Sequence, residues 1–249
     1  MRIDIMTLFP SVCEAYLSES IIGRARKDGL VEIKCHDIRD FSKDKHRHVD
    51  DYTYGGGAGM IMQPGPIADC FKAICEETNT RPYCIYMSPQ GKVFNQETAV
   101  RLSKMDNIAL LCGHYEGVDE RIIEEIVDEE ISVGDFVLTG GELPALMVAD
   151  AVTRLLPGVL SGEECFTEES HFSGLLEYPQ YTRPPVFNGK SVPEVLLSGH
   201  AANIANWRRR EALKRTLIRR PDMLKKADLS RDDLKIIGEI CAEIHESDA

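Results

Sequence analysis

Three short segments of this chain carry residue types suited to holding a small molecule, and each follows an apolar run. Ser88-Pro89-Gln90-Gly91 follows Tyr83–Met87, Gly113-His114-Tyr115-Glu116-Gly117 follows Ile108–Cys112, and Gly140-Gly141 follows Phe136–Thr139. Glycine turns at strand ends often cradle phosphate on backbone N–H groups. That chemistry is not supported here. No G-x-x-x-x-G-K-[ST] run exists, and the glycine-rich Gly55–Met60 lacks the G-x-G-x-x-G spacing and follows no clear apolar strand. Glu142, directly after Gly140-Gly141, and Glu116 in the second loop would both repel an anion. Loops of this kind, without lysine or arginine, suit a ligand of low net charge. Backbone groups could read an adenine edge and a ribose, and a carboxylate could attract a cation. S-adenosylmethionine has those parts and no phosphate. Glu116 is a plausible partner for its positive groups, although it equally suits a solvated surface carboxylate.

The elements that must position these loops read as alternating strands and helices, which favours a parallel α/β sheet. Arg2–Leu8 reads as a first strand, Pro10 to about Arg26 as one helix, Val31–His36 as a strand and Pro66–Glu77 as a helix. Asn95 suits the cap of a helix to about Lys104, and a further helix spans Asp119–Val127. Pro144 sits in the first turn of a helix whose apolar residues are Leu146, Val148, Val152, Leu155 and Leu156, stopped by Pro157-Gly158. The stretch 158–173 is polar and acidic, and reads as a linker or as a functional loop that orders on binding. Beyond it, a proline-rich extended run precedes Pro193–Leu197, a basic helix from about His200 to Leu217, and helices over Asp222–Ala227 and Ser230–His245. The expected organisation is residues 1–160 as a sheet domain, 161–173 as a flexible linker, and 174–249 as a small, mostly helical domain.

Composition sets limits on function. The 249 residues are 43% hydrophobic and 28% charged, as in ordinary soluble domains. No apolar run approaches the roughly 20 residues that span a bilayer, and the N-terminus reads as a strand, so a cytoplasmic protein without membrane partners is expected. The net charge of −12 argues against a general nucleic-acid binder. Yet Trp207–Arg220 holds seven cationic side chains against Glu211 alone, so a phosphate backbone could dock at one strip of an otherwise acidic molecule. The eight cysteines form no C-x-x-C pair, and several sit in apolar runs, as buried thiols of a reducing compartment do. His46 and His48 have no second ligand cluster at metal spacing and read as surface or RNA-facing residues.

Long ordered blocks carry a more specific signal. "DIMTLFP", "YGGGAGM", "MSPQGKVFNQ", "LLCGHYEGVDERI", "ISVGDFVLTGGELPALMVADAVTRLLPGVL" and "GLLEYPQYTRPPVFNGKSVPEVLLSGH" together span essentially the whole chain. They resemble the bacterial tRNA (guanine(37)-N1)-methyltransferase family, of the knotted SPOUT class. The resemblance implies a deep trefoil knot at the C-terminal edge of the sheet and a homodimer with the active site at the subunit interface. It makes the three loops the walls of one adenosylmethionine pocket. Tyr86, Met87, Ser88 and Pro89 come from the first wall, and Gly113, Tyr115 and Glu116 from the second. The third supplies Ser132, Val133, Gly134, Asp135, Phe136, Val137, Leu138, Gly140, Gly141 and Pro144.

Methyl transfer to guanine N1 demands a base for the N1 proton and a donor for the negative charge that develops on O6. Arg154, in "TRLLPG", has the family's position for the second role; it also suits a cation answering a helix C-terminus. The family usually has aspartate before serine in the linker. Here Glu169 precedes Ser170, with Glu168 as the fallback base and a solvated acidic run as the plain reading of Glu163, Glu164, Glu168 and Glu169. The resemblance places Gly59 beside the target base, Glu177 near the reacting centre, and Arg183 and His200 against tRNA. Ala201 after His200 departs from relatives that often show a second polar residue there. Arg208, Arg209, Lys214 and Arg215 are the expected phosphate contacts, and should be salt-sensitive. Magnesium is associated with the family's catalysis, but no ligand set for it is visible in the sequence. A different knotted RNA methyltransferase with another target nucleotide, and a non-enzymatic RNA-binding protein using the basic helix alone, are the competing readings.

Overall fold

A computed structural model describes residues 1–162 and 169–247, which fall in two compact units, Met1–Gly162 and Glu163–Ala249. The first unit is built on a parallel five-stranded sheet in the order β2-β1-β6-β5-β7. Its strands are β1 (Arg2–Thr7), β2 (Glu32–Asp37), β5 (Tyr83–Val93), β6 (Asn107–Cys112) and β7 (Glu129–Ser132), with a separate hairpin of β3 (Asp50–Tyr52) and β4 (Met60–Met62).

The period-two alternation of each central strand decides which helices cover it. Ile3, Ile5, Ile85, Ile108 and Leu110 face one core, shared with α1 (Pro10–Leu17), α2 (Ser20–Lys27) and α6 (Glu142–Thr153). Met6, Cys84, Tyr86, Ala109 and Leu111 face the opposite core with α3 (Pro64–Thr78) and α5 (Glu120–Ile126). Asp4 falls on a buried position of this pattern. Its fully buried carboxylate is held by Arg2 at 2.8 Å and His36 at 2.7 Å. Burial raises its pKa, but those hydrogen bonds outweigh burial and leave it below the usual carboxylate range.

Three expectations need correction. The helix read over residues 10–26 is two helices, because Ser18 Oγ donates to the Glu14 carbonyl and Ser20 takes a positive φ of 55°. The first wall does not end β5 at Met87. The strand continues to Val93 through an irregularity in which Met87 and Lys92 both pair with Ile131. The apolar run Phe136–Thr139 is not a strand: β7 lies earlier, and Phe136, Val137 and Leu138 are exposed in the loop that follows it. The glycine-rich loop is the connection of the β3–β4 hairpin, and the strand before it is the polar Asp50-Asp51-Tyr52 rather than an apolar run. By contrast, Asn95 does cap α4 (Gln96–Leu102), its Oδ1 accepting from the Thr98 N–H at 2.9 Å.

The second unit holds a two-stranded hairpin, β8 (Val186–Phe187) and β9 (Lys190–Ser191), which was not foreseen. It is followed by α7 (Glu194–Leu197), the basic α8 (Ala201–Arg219), α9 (Pro221–Leu224) and α10 (Arg231–Ser247). A small core of Leu175, Leu213 and Ile240 joins the 169–177 segment to α8 and α10, and the Leu176 N–H donates to Thr216 Oγ1 at 2.9 Å. Among the described residues no helix is long and apolar enough to cross a membrane.

Candidate functional site

Parallel strands bring the irregular middle of β5 and the loops after β6 and β7 to one end of the sheet, where they line an open cleft. Tyr86, Met87, Ser88 and Pro89 line it from the first wall. Gly113, Tyr115 and Glu116 line it from the second, and Ser132, Val133, Phe136, Val137, Leu138, Gly140, Gly141 and Pro144 from the third. Gly134 and Asp135 lie outside the lining. Gln90, His114, Gly117, Ile131 and Thr139, not singled out by sequence reasoning, lie within it. No lysine or arginine is among the lining residues.

The glycines of the third wall are there for space. The Gly141 N–H donates to the Gly113 carbonyl at 2.9 Å, and Gly140 forms a bridge with His114. A Cβ on Gly140 would lie 2.3 Å from the His114 ring, and one on Gly141 would lie 2.7 Å from Cys112 Cα. The second and third walls therefore touch through backbone. Glu142 behaves differently from the sequence reading. Its carboxylate is not aimed outward where it would repel an anion; it is buried, accepts from Thr7 Oγ1 at 2.6 Å, and lies 2.7 Å from His114 Nε2. The electrostatic argument against a phosphate ligand therefore rests on the absence of lysine and arginine from the lining and on Glu116, which is exposed in it.

Glu116 also joins the glycine-rich loop to the cleft. Its N–H donates to the Met60 carbonyl at 3.0 Å, and a Cβ on Gly59 would sit 2.6 Å from Glu116 Cγ. Gly59 is thus brought beside the second wall, and its φ of +91° is one that side chains rarely adopt.

Arg154 is placed elsewhere. It is the C-cap of α6, while Gly141 is the N-cap. At 1.5 Å rise per residue the two are roughly 20 Å apart along the helix. Arg154 is not in the lining of its own chain's cleft. Between them, α6 shows Leu143 and Met147 to solvent, and the neighbouring α1 shows Val12 and Tyr16.

In the second unit, Glu169 and Ser170 begin a closed turn. Ser170 Oγ donates to Glu177 Oε2 at 3.2 Å, the Glu177 N–H donates to Ser170 Oγ at 3.1 Å, and the Phe172 N–H donates to the Glu169 carbonyl at 3.3 Å. Glu163, Glu164 and Glu168 fall outside the described residues. Arg183 and His200 are exposed, the latter at the N-cap of α8. The basic strip divides. Arg209 grips Asp233 through two 2.8 Å bonds, which hold that carboxyl well below its ordinary range, so this arginine ties α8 to α10. Arg208 lies over the Tyr178 ring at 4.8 Å. Lys214 and Arg215 make no ion pair among the described residues.

No group of three or more His, Cys, Asp or Glu among the described residues is placed to hold a metal ion. The seven described cysteines are unpaired, and burial pushes Cys84 up to about 12. Cys165 lies outside the described residues.

Fold and site define a class: an α/β protein with a cleft lined without lysine or arginine at the end of a parallel sheet, in a chain that continues into a small helical unit. Comparison with known proteins narrows it. The family model described as tRNA (Guanine-1)-methyltransferase TrmD matches residues 1–226. A tRNA (guanine-N(1)-)-methyltransferase of Ruminiclostridium cellulolyticum is 61% identical over 91% of this chain and 97% of its own length. Proteins of the same name from Dehalococcoides mccartyi and Caldanaerobacter subterraneus subsp. tengcongensis are 52% and 55% identical. They are covered in full, over 100% and 98% of this chain. The chain belongs to the tRNA (guanine-1)-methyltransferase family.

Proposed function

We propose that this chain methylates N1 of a tRNA guanosine, the one 3′-adjacent to the anticodon, from S-adenosylmethionine. The observation that carries the reading is the cleft of a family member lined without lysine or arginine. Its residues fit that cofactor. Glycine-bearing loops offer backbone donors and acceptors, Phe136, Val137 and Leu138 offer apolar surface, and Glu116 offers one carboxylate for a cation. When bound, the cofactor supplies a methyl group activated by its sulfonium.

The remaining demands fall on the protein. Guanine N1 carries a proton at neutral pH and becomes nucleophilic as that proton leaves. Glu169 takes it, and Arg154 donates to O6 as negative charge develops there. The Ser170–Glu177 turn fixes the chain next to Glu169. Because Arg154 stands about 15 Å along α6 from Pro144, the last residue of that helix to line its own cleft, it serves the cleft of a second copy. The exposed Val12, Tyr16, Leu143 and Met147 of α1 and α6 supply an apolar face for such a homodimer. Family membership supports reading the crossing of the three walls as a trefoil knot, a rare exception to ordinary chain connections. Lys214, Arg215 and Arg208 meet tRNA phosphates, with Arg183 and His200 beside them. No step is assigned to magnesium. The protein works in the cytoplasm, where tRNA is modified.

Labelled S-adenosylmethionine offered with tRNA transcripts that have or lack guanosine at that position tests the reading. Label on neither removes the enzyme assignment, and label on both points to a related methyltransferase with a different target nucleotide.

A further inference from the structure

The buried chain Thr7–Glu142–His114 has no part in the chemistry above, yet it lies directly under the cleft. Glu142 opens α6, and its carboxylate is almost wholly shielded from solvent. A buried carboxylate is costly unless its oxygens are satisfied, and each one here has a partner from a different element. Thr7, the last residue of β1, donates to one oxygen at 2.6 Å and also accepts the Phe9 N–H at 2.9 Å. His114, whose side chain lines the second wall, faces the other oxygen at 2.7 Å, with the Phe9 ring tilted against it at 4.9 Å. The same imidazole covers Gly140 so closely that a Cβ there would overlap both the ring and Glu142 Oε2.

We propose that Glu142 is a positioning residue for the cofactor. By holding the His114 imidazole over Gly140 and anchoring it to the end of β1, it sets the gap between the second and third walls. The Gly141 N–H to Gly113 carbonyl bond is the backbone half of the same clamp. This inference rests on the reading of the cleft as the adenosylmethionine pocket. A side chain that only fills space would do its work equally well without two separate hydrogen-bond partners. Glu142 does not: its removal frees the imidazole and leaves the Thr7 hydroxyl buried without its acceptor.

The test titrates S-adenosylmethionine into the full-length wild-type, Glu142→Ala, Glu142→Gln and His114→Ala proteins by calorimetry, with melting temperature and steady-state kinetics on tRNA alongside. Glu142→Ala is expected to weaken cofactor binding about tenfold, the loss set by one hydrogen bond. The cofactor KM should rise in step, while turnover at saturating cofactor stays near wild type. Glu142→Gln should recover most of the affinity, because its amide oxygen can accept from the Thr7 hydroxyl while its NH2 donates to His114 Nε2 in the tautomer that leaves that nitrogen bare. His114→Ala should lose affinity as well, with a lower melting temperature because it strips a partner from the buried Glu142 carboxylate, so Glu142→Gln, near wild type in both readouts, is the variant that separates positioning from folding. Wild-type affinity in Glu142→Ala or in His114→Ala would overturn the inference. So would equal losses in Glu142→Ala and Glu142→Gln, since charge rather than bridging would then be what matters. Absence of binding by the wild-type protein would overturn the pocket reading itself, and the inference with it.

Discussion

Replacing Gly141 by alanine tests whether the cleft is set by the contact of its second and third walls. Gly141 has φ −83° and ψ −5°, a conformation any residue adopts, so glycine is not needed for backbone reasons. Space is the reason. A Cβ at this position would lie 2.7 Å from Cys112 Cα, 2.9 Å from the Gly113 nitrogen and 3.1 Å from Cys112 Cβ. Unstrained carbon contacts are about 3.5–4.0 Å, so α6 or the end of β6 must move by about 1 Å. Neither moves freely, since Cys112 is fully buried in the central sheet and the Gly141 N–H is bonded to Gly113. Overpacking of this kind costs about 1–3 kcal/mol. At about 2–4 °C per kcal/mol for a chain of this size, a cost near 2 kcal/mol lowers the melting temperature by about 4–8 °C. The shifted wall should also weaken S-adenosylmethionine binding by about tenfold or more, or about 1.4 kcal/mol. Scanning calorimetry and titration calorimetry read the two effects. Gly238→Ala is the control: this helix-interior glycine of α10 has nothing within 4 Å of an added Cβ, and alanine there should be neutral or stabilising by up to about 1 kcal/mol. If Gly141→Ala melts and binds cofactor like wild type, the walls are not in the tight contact described.

Three further outcomes are expected. Glu169→Gln should abolish turnover while leaving cofactor affinity unchanged, as measured by single-turnover methylation and calorimetry; near-normal turnover would move the base to Glu168 or elsewhere. Lys214→Ala and Arg215→Ala should each lower the slope of log affinity against log salt for tRNA by about one, whereas Arg209→Ala should mainly lower the stability of the helical unit, because its guanidinium is committed to Asp233. Asp4→Asn should cost about 3–5 kcal/mol at pH 7 by breaking the buried Arg2–Asp4–His36 group. Because the folded Asp4 carboxyl titrates below its unfolded value of about 3.9, its contribution is complete above that pH and is lost as pH falls through the folded value. The melting-temperature gap between wild type and Asp4→Asn should therefore close in acid, and a gap independent of pH would contradict this.

The sheet was legible because β1, β5 and β6 are apolar runs with turn residues after them, and the residues that follow the runs in β5 and β6 are two of the walls of the cleft. The third wall was read with the wrong element. "FVLTGG" has the composition of a strand, whereas β7 is the charged "EEIS", whose two glutamates hide the strand signal. The apolar side chains of Phe136, Val137 and Leu138 are instead spent on the cleft surface. The buried role of Glu142 was invisible for a different reason. Its partners Thr7 and His114 are 135 and 28 residues away, and a carboxylate at a helix start ordinarily faces solvent. Sequence could likewise mark Arg154, Arg208 and Arg209 as cations, but not sort them. Only the acids packed beside Arg209 show that it holds two helices together. His114 could have been found: an imidazole between glycines in a loop otherwise assigned to the ligand was a signal that went unread.

Mapping the methylated atom tests the central claim most directly. After incubation with the protein and S-adenosylmethionine, tRNA carrying guanosine 3′ of the anticodon should be digested and its nucleosides resolved by mass spectrometry. The expected product is 1-methylguanosine, found at that position alone and absent when adenosine replaces the guanosine. A methyl group on another atom or another nucleotide, or none at all with cofactor bound, would contradict it.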